Sequence, residues 1–140
     1  MKDAWGIKLA KSIGHWANEL GISDYKFILN YVSNSSISGD YARVDTDDET
    51  REVAIDINRT RLLKEPQEVE RTVIHELLHT RFNEYAELLA EIVRNHVDSP
   101  KARKTFIRQA DKIEHKIVVA ITDALDKKYR SRKNNATKQK

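Results

Sequence analysis

The stretch "TVIHELLHT", residues 72–80, places His75 and His79 four positions apart, with Glu76 directly after the first. On a helix that advances about 100° per residue the two imidazoles stand one turn apart on the same face, so their ring nitrogens can converge on one metal ion. Glu76 then lies where its carboxylate can take a proton from a water at that metal, which is what metal-assisted hydrolysis requires. Two imidazoles and a carboxylate suit zinc, and a catalytic zinc takes three protein ligands and leaves one position to water. The bland reading of the same residues is an amphipathic helix carrying two surface histidines, because bare H-E-x-x-H strings also arise by chance.

A third ligand has to come from elsewhere in the chain. Downstream, Ile107, Ala110, Ile117, Val118, Ile121 and Leu125 trace one apolar stripe, and Glu114 falls inside it. A carboxylate directed at a core is costly unless it is paired or bound to a cation. Glu114 is therefore the expected third ligand. His115, about 100° around the same helix towards its polar flank, is the rival ligand.

These residues need elements to position them. Trp5, Leu9, Ile13, Trp16 and Leu20 recur at helical spacing, with Gly21 where a C-terminal cap belongs. "DYKFILNYV" (24–32) reads as a strand, and "YARVD" and "REVAIDINR" around "TDDET" read as an antiparallel hairpin with an acidic turn at Asp47, Asp48 and Glu49. From Pro66 the pattern turns helical. A motif helix is expected over 66–80, a second helix over 83–96, and a third that starts at the Ser99–Pro100 pair and runs to about Leu125. The predicted architecture is thus α+β: an N-terminal helix, a small three-stranded sheet, the motif helix and two further helices.

Bulk composition narrows the rest. The chain's 140 residues fit one compact domain, expected over 1–126, and the absence of cysteine excludes disulfides and thiolate metal sites. No apolar run approaches the ~20 residues of a membrane helix, and the start lacks a signal-peptide pattern, so a soluble cytoplasmic protein with no membrane partner is expected. Residues 127–140 contain no acidic side chain and read as a basic, disordered tail, which solubilises the chain or touches nucleic acid.

The motif resembles the extended signature of the zincin metallopeptidases: Thr72 and Val73, then His-Glu, two uncharged residues, His, and uncharged Thr80. Arg81 stands where that signature usually has a hydrophobic residue, as if the motif helix ended there. The metzincin branch does not fit, since its third histidine would fall on Tyr85 and its glycine on Phe82. Glu114 on a later helix makes the chain similar to the gluzincins, and the size and order of elements resemble the compact minigluzincins and small phage metallopeptidases. The gluzincin motif Asn-Glu-x-x-Ser-Asp is not reproduced around Glu114, where the sequence is "KIEHKIVV". The resemblance implies one Zn²⁺ per chain held by His75, His79 and Glu114, Glu76 as general base, and peptide-bond hydrolysis of a peptide or protein substrate. It also implies a residue that stabilises the oxyanion, for which His115 and Tyr85 are the candidates. By the same resemblance the second hairpin arm, 52–58, is implied to form the rim of the cleft, where an extended peptide adds as a further strand. Two other functions compete: a zinc-binding domain without turnover that acts through a protein partner, and a nucleic-acid binder using the basic tail.

Overall fold

A computed structural model describes residues 3–138. Helix α1 (Ala4–Glu19) is capped by Asp3, whose side chain accepts from the Trp5 amide, and it ends where Gly21 adopts φ +69°, a conformation that glycine reaches at little cost. Its Leu9, Ile13, Trp16 and Ala17 are buried at helical spacing. Glu70 ties α1 to the motif helix, accepting from Ser12 Oγ at 2.9 Å and from Trp16 Nε1 at 2.8 Å.

Three strands follow: β1 (Lys26–Tyr31), β2 (Ala42–Asp47) and β3 (Glu52–Ile57). Their spatial order is β1-β3-β2, with β1 parallel and β2 antiparallel to β3. Phe27 pairs with Val53, and Val44 with Ile55, which sets one apolar face against the helices. Val53, Ile55 and Ile57 are fully buried there beside Leu77, Ile74 and Val118. The cleft rim differs from the sequence expectation. Both edges of β3 are taken by neighbours, so the 52–58 arm is central; β1 and β2 are the edge strands, and β2 is the one that borders the cleft. The acidic turn is no loose tip: Asp47 accepts from the Glu49 and Thr50 amides, and Asp48 binds Tyr25 and Asn83.

The helical half also departs from the expected segmentation. A short helix α2 (Arg59–Lys64) follows β3, with Asn58 as its cap, and a 3₁₀ turn covers Pro66–Glu68. Helix α3 then runs unbroken over Val69–His96, so the two helices expected at 66–80 and 83–96 are one, and Arg81 ends nothing. No proline or glycine interrupts residues 67–99, and Glu, Leu, Ala and Arg sustain the helix through the position where the apolar pattern weakens. Helix α4 (Pro100–Lys138) starts as expected, with Ser99 Oγ accepting from the Ala102 amide at 3.3 Å. It continues to Lys138, through the described part of the segment expected to be a disordered tail at 127–140; residues 139–140 lie outside the described residues. Tyr129 packs against Trp16, Arg130 pairs with Asp126 at 2.8 Å, and the described residues beyond them are exposed helix. Lys and Arg favour helix up to Lys133, whereas Asn134, Asn135 and Thr137 do not, and that end of α4 is exposed. Among the described residues, no helix is long and apolar enough to cross a membrane.

Candidate metal centre

The motif lies on the buried first half of α3. Thr72, Val73, Ile74, Leu77 and Leu78 face the core, which fixes the rotation of the helix and turns His75 and His79 towards α4. Their Nε2 atoms meet at 3.2 Å. Both cannot supply a proton to one short contact, so at least one lone pair points into the space between them. Opposite them, His115 of α4 completes a cluster in which one nitrogen from each of the three imidazoles lies within 4.8 Å of the others. The His115 ring centroid is 5.5 Å from that of His75 and 6.0 Å from that of His79.

Glu114 is half-buried and binds the other side of His79, with Oε1 3.0 Å from Nδ1. A carboxylate there holds the proton on Nδ1 and leaves Nε2 as a free lone pair, the arrangement by which carboxylates orient metal-binding histidines. Burial, followed by the charges of His79 and His115, lowers the His75 pKa to about 4, which keeps its imidazole neutral and available as a ligand. His75 Nδ1 is buried without a partner. Three imidazole nitrogens gathered about one point, one ring already oriented by a carboxylate, form a donor set that fits a zinc ion.

Glu76 is 9% exposed at the base of the same cleft. Burial, with Asp40 next, raises its pKa to about 8, while the Val44 backbone amide and Arg43 act the other way. A divalent cation at the neighbouring histidines would oppose that rise by Coulomb attraction and favour the carboxylate. A cleft of about 550 Å³ opens over these side chains, walled by β2 from Ala42 to Thr46 on one side and by His79, Asn83, Glu114 and His115 on the other. Two contacts lay β2 across α3: Thr46 Oγ1 donates to Thr80 Oγ1 at 3.2 Å, and Asn83 Nδ2 donates to Asp48 at 2.8 Å. Because Asn58 N–H bonds the Tyr41 carbonyl, the ladder alternation turns the backbone groups of Ala42, Val44 and Thr46 away from β3, towards the cleft.

The structure therefore brings together His75, Glu76, His79, Glu114 and His115. It leaves out Tyr85, which is 67% exposed and lies outside the cleft lining. Tyr85 lies six residues beyond His79 on α3, about one and two-thirds turns, and that rotation carries it away from the face of His75 and His79. Sequence reasoning missed Asp40, Arg43 and Arg71, which line the cleft. Asp40 precedes β2 and Arg43 lies in it, and only the packing of β2 over α3 shows that this strand borders the cleft. Arg71, one turn before His75, was readable from helical spacing, and it is held by Asp123 at 2.9 Å. Compared with protein-family models, curated proteins and solved structures, the chain matches none.

Proposed function

We propose that the protein is a zinc-dependent peptidase whose metal is held by His75, His79 and His115, with Glu114 positioning His79. The observation that carries this reading is the meeting of the His75 and His79 Nε2 atoms at 3.2 Å beside His115, in a cleft that also contains the buried Glu76. The family resemblance supports the peptidase chemistry but favours Glu114 as a ligand, and its 3.0 Å contact with His79 Nδ1 supports the orienting role instead. Bound there, zinc would act as a Lewis acid, lowering the pKa of water and polarising a substrate carbonyl. Glu76 accepts the proton of the attacking water and returns it to the leaving amine, acting first as base and then as acid. The free edge of β2 aligns an extended peptide by main-chain hydrogen bonds, so backbone geometry rather than side-chain identity governs binding. Arg43 and Arg71 put positive charge beside the reacting carbonyl.

The test is metal content by elemental mass spectrometry together with cleavage of an unstructured protein. Near one zinc per chain, with turnover that Glu76→Gln abolishes while zinc is retained, supports the reading. Zinc without turnover dependent on Glu76 supports the non-catalytic zinc domain. Absence of zinc uptake at neutral pH reduces the cluster to a helix face.

A further inference from the structure

On the outer half of the α3–α4 hairpin, from Arg81 to Ile117, Val93 is the one buried side chain. Tyr85, Leu88, Ile92, Phe106, Ile113 and Ile117 are exposed, Ile113 to 60%. An apolar groove of about 830 Å³ runs between the two arms, lined by Phe82, Tyr85 and Leu89 from α3 and by Phe106, Ile113 and Ile117 from α4. A soluble chain rarely leaves so continuous an apolar face uncovered.

The spacing of the face specifies what covers it. On α3 the stripe is Phe82, Tyr85, Leu89, Ile92, with intervals of three, four and three; on α4 it is Phe106, Ala110, Ile113, Ile117, with intervals of four, three and four. These are heptad seams, and a seam of mean period ~3.5 is matched along its length by another helix. On α4 this seam is distinct from the one that points into the core through Val118, Ile121 and Leu125. Two hairpins laid face to face make a four-helix bundle.

Charge identifies the partner. The α3 arm, residues 81–96, carries Glu84, Glu87 and Glu91 against Arg81 and Arg94, a net of 2 − 3 = −1, with Glu84 already paired to Arg51 at 3.2 Å, so the arm is close to neutral. The α4 arm, residues 100–117, carries Lys101, Arg103, Lys104, Arg108, Lys112 and Lys116 against Asp111 and Glu114, a net of 6 − 2 = +4. A two-fold axis parallel to the hairpin sets α3 of one copy on α4 of the other and keeps the two basic arms apart, whereas the perpendicular alternative stacks them. The 16 residues of the shorter arm make the hairpin ~24 Å long and ~20 Å wide, so the two faces together offer ~1,000 Å² in projection and more in accessible surface. That reaches the ~1,000 Å² expected of a specific interface.

We propose that a second copy of this chain covers the groove, giving an isologous dimer built on an α3–α4 four-helix bundle. The assignment does not depend on the peptidase reading, because its readout is mass. Sedimentation of the full chain is expected to show twice the chain mass at high concentration, dissociating on dilution. Ile113→Lys should yield the monomer at every concentration, with helical circular dichroism and zinc uptake unchanged because Ile113 is not part of the core. Glu87→Lys, on the groove lining, should weaken the dimer severalfold by setting a like charge against the basic arm of the other copy. A chain that stays monomeric throughout, or a dimer that survives Ile113→Lys, overturns the proposal. A monomer whose peptide turnover falls with Ile113→Lys also overturns it, and assigns the groove to substrate.

Discussion

The two halves of helix α3 share one backbone and almost nothing else. From Thr72 to Thr80 the helix lies under the sheet, and Ile74 and Leu77 have no exposure at all. From Arg81 to His96 it projects beyond the sheet beside α4, with Val93 alone buried. The sheltered half carries His75, Glu76 and His79, the proposed ligands and base, where buried neighbours hold side chains to the precision a metal site requires. The projecting half carries an exposed apolar seam, the surface proposed to meet a second copy. The difference shows that one continuous helix can be buried scaffold at one end and exposed apolar surface at the other, with its neighbours deciding which.

The sharpest break between the halves is chemical. Glu76→Gln should lower turnover by roughly 10²–10⁴, the usual worth of a general base, while zinc per chain stays constant; a variant that keeps its rate would remove Glu76 from the chemistry. Next is packing. Leu77→Ala should destabilise the chain by ~2–5 kcal/mol in chemical denaturation, whereas Leu88→Ala in the projecting half should stay within ~0.5 kcal/mol for the monomer. Equal losses at the two positions would abolish the contrast. At the centre itself, Glu114→Gln should weaken zinc ~10–100-fold by competition titration, as loss of an orienting carboxylate does, and His115→Ala should weaken it further. The reverse ranking would make Glu114 the ligand and His115 its neighbour.

The smallest effect lies in the turn that anchors β2. The Thr50 amide, with the Glu49 amide among the lesser contributors, holds the Asp47 carboxyl below its ordinary pKa. A depressed folded pKa adds stability above the unfolded value, and that stability is lost as pH falls through the folded one. Asp47→Asn should therefore flatten slightly the loss of stability in the acid range, measured as the midpoint of urea unfolding below the usual carboxylate pKa, and leave neutral pH little changed.

The α+β layout was legible because it is written in local pattern: the 3.6-residue recurrence of Leu9, Ile13 and Trp16, the alternation of Val53, Ile55 and Ile57, and the Ser99–Pro100 start of α4. The pair His75 and His79 was legible for the same reason, since one turn of helix sets their separation wherever the helix lies. Helix ends were less so. The expectation of a break at Arg81 rests on a charged residue where the zincin signature has a hydrophobic one, and that of a tail after residue 126 on lost periodicity and polar composition; neither stops a helix, and α3 and α4 run through both positions.

Other features depended on long-range pairing. That β2 rather than the 52–58 arm borders the cleft follows from β1 docking parallel on β3, and strand order leaves no mark on the strands it joins. The angle and depth at which α4 crosses α3 place Glu114 behind His79 and His115 beside it, where a small rotation of α4 would exchange their roles. The sequence by itself determined which side chains could bind a metal and take a proton, because those properties belong to residue type and to spacing along one helix. The tertiary structure decided which partner each side chain meets, because distance and direction between elements are set by how their apolar faces fit together.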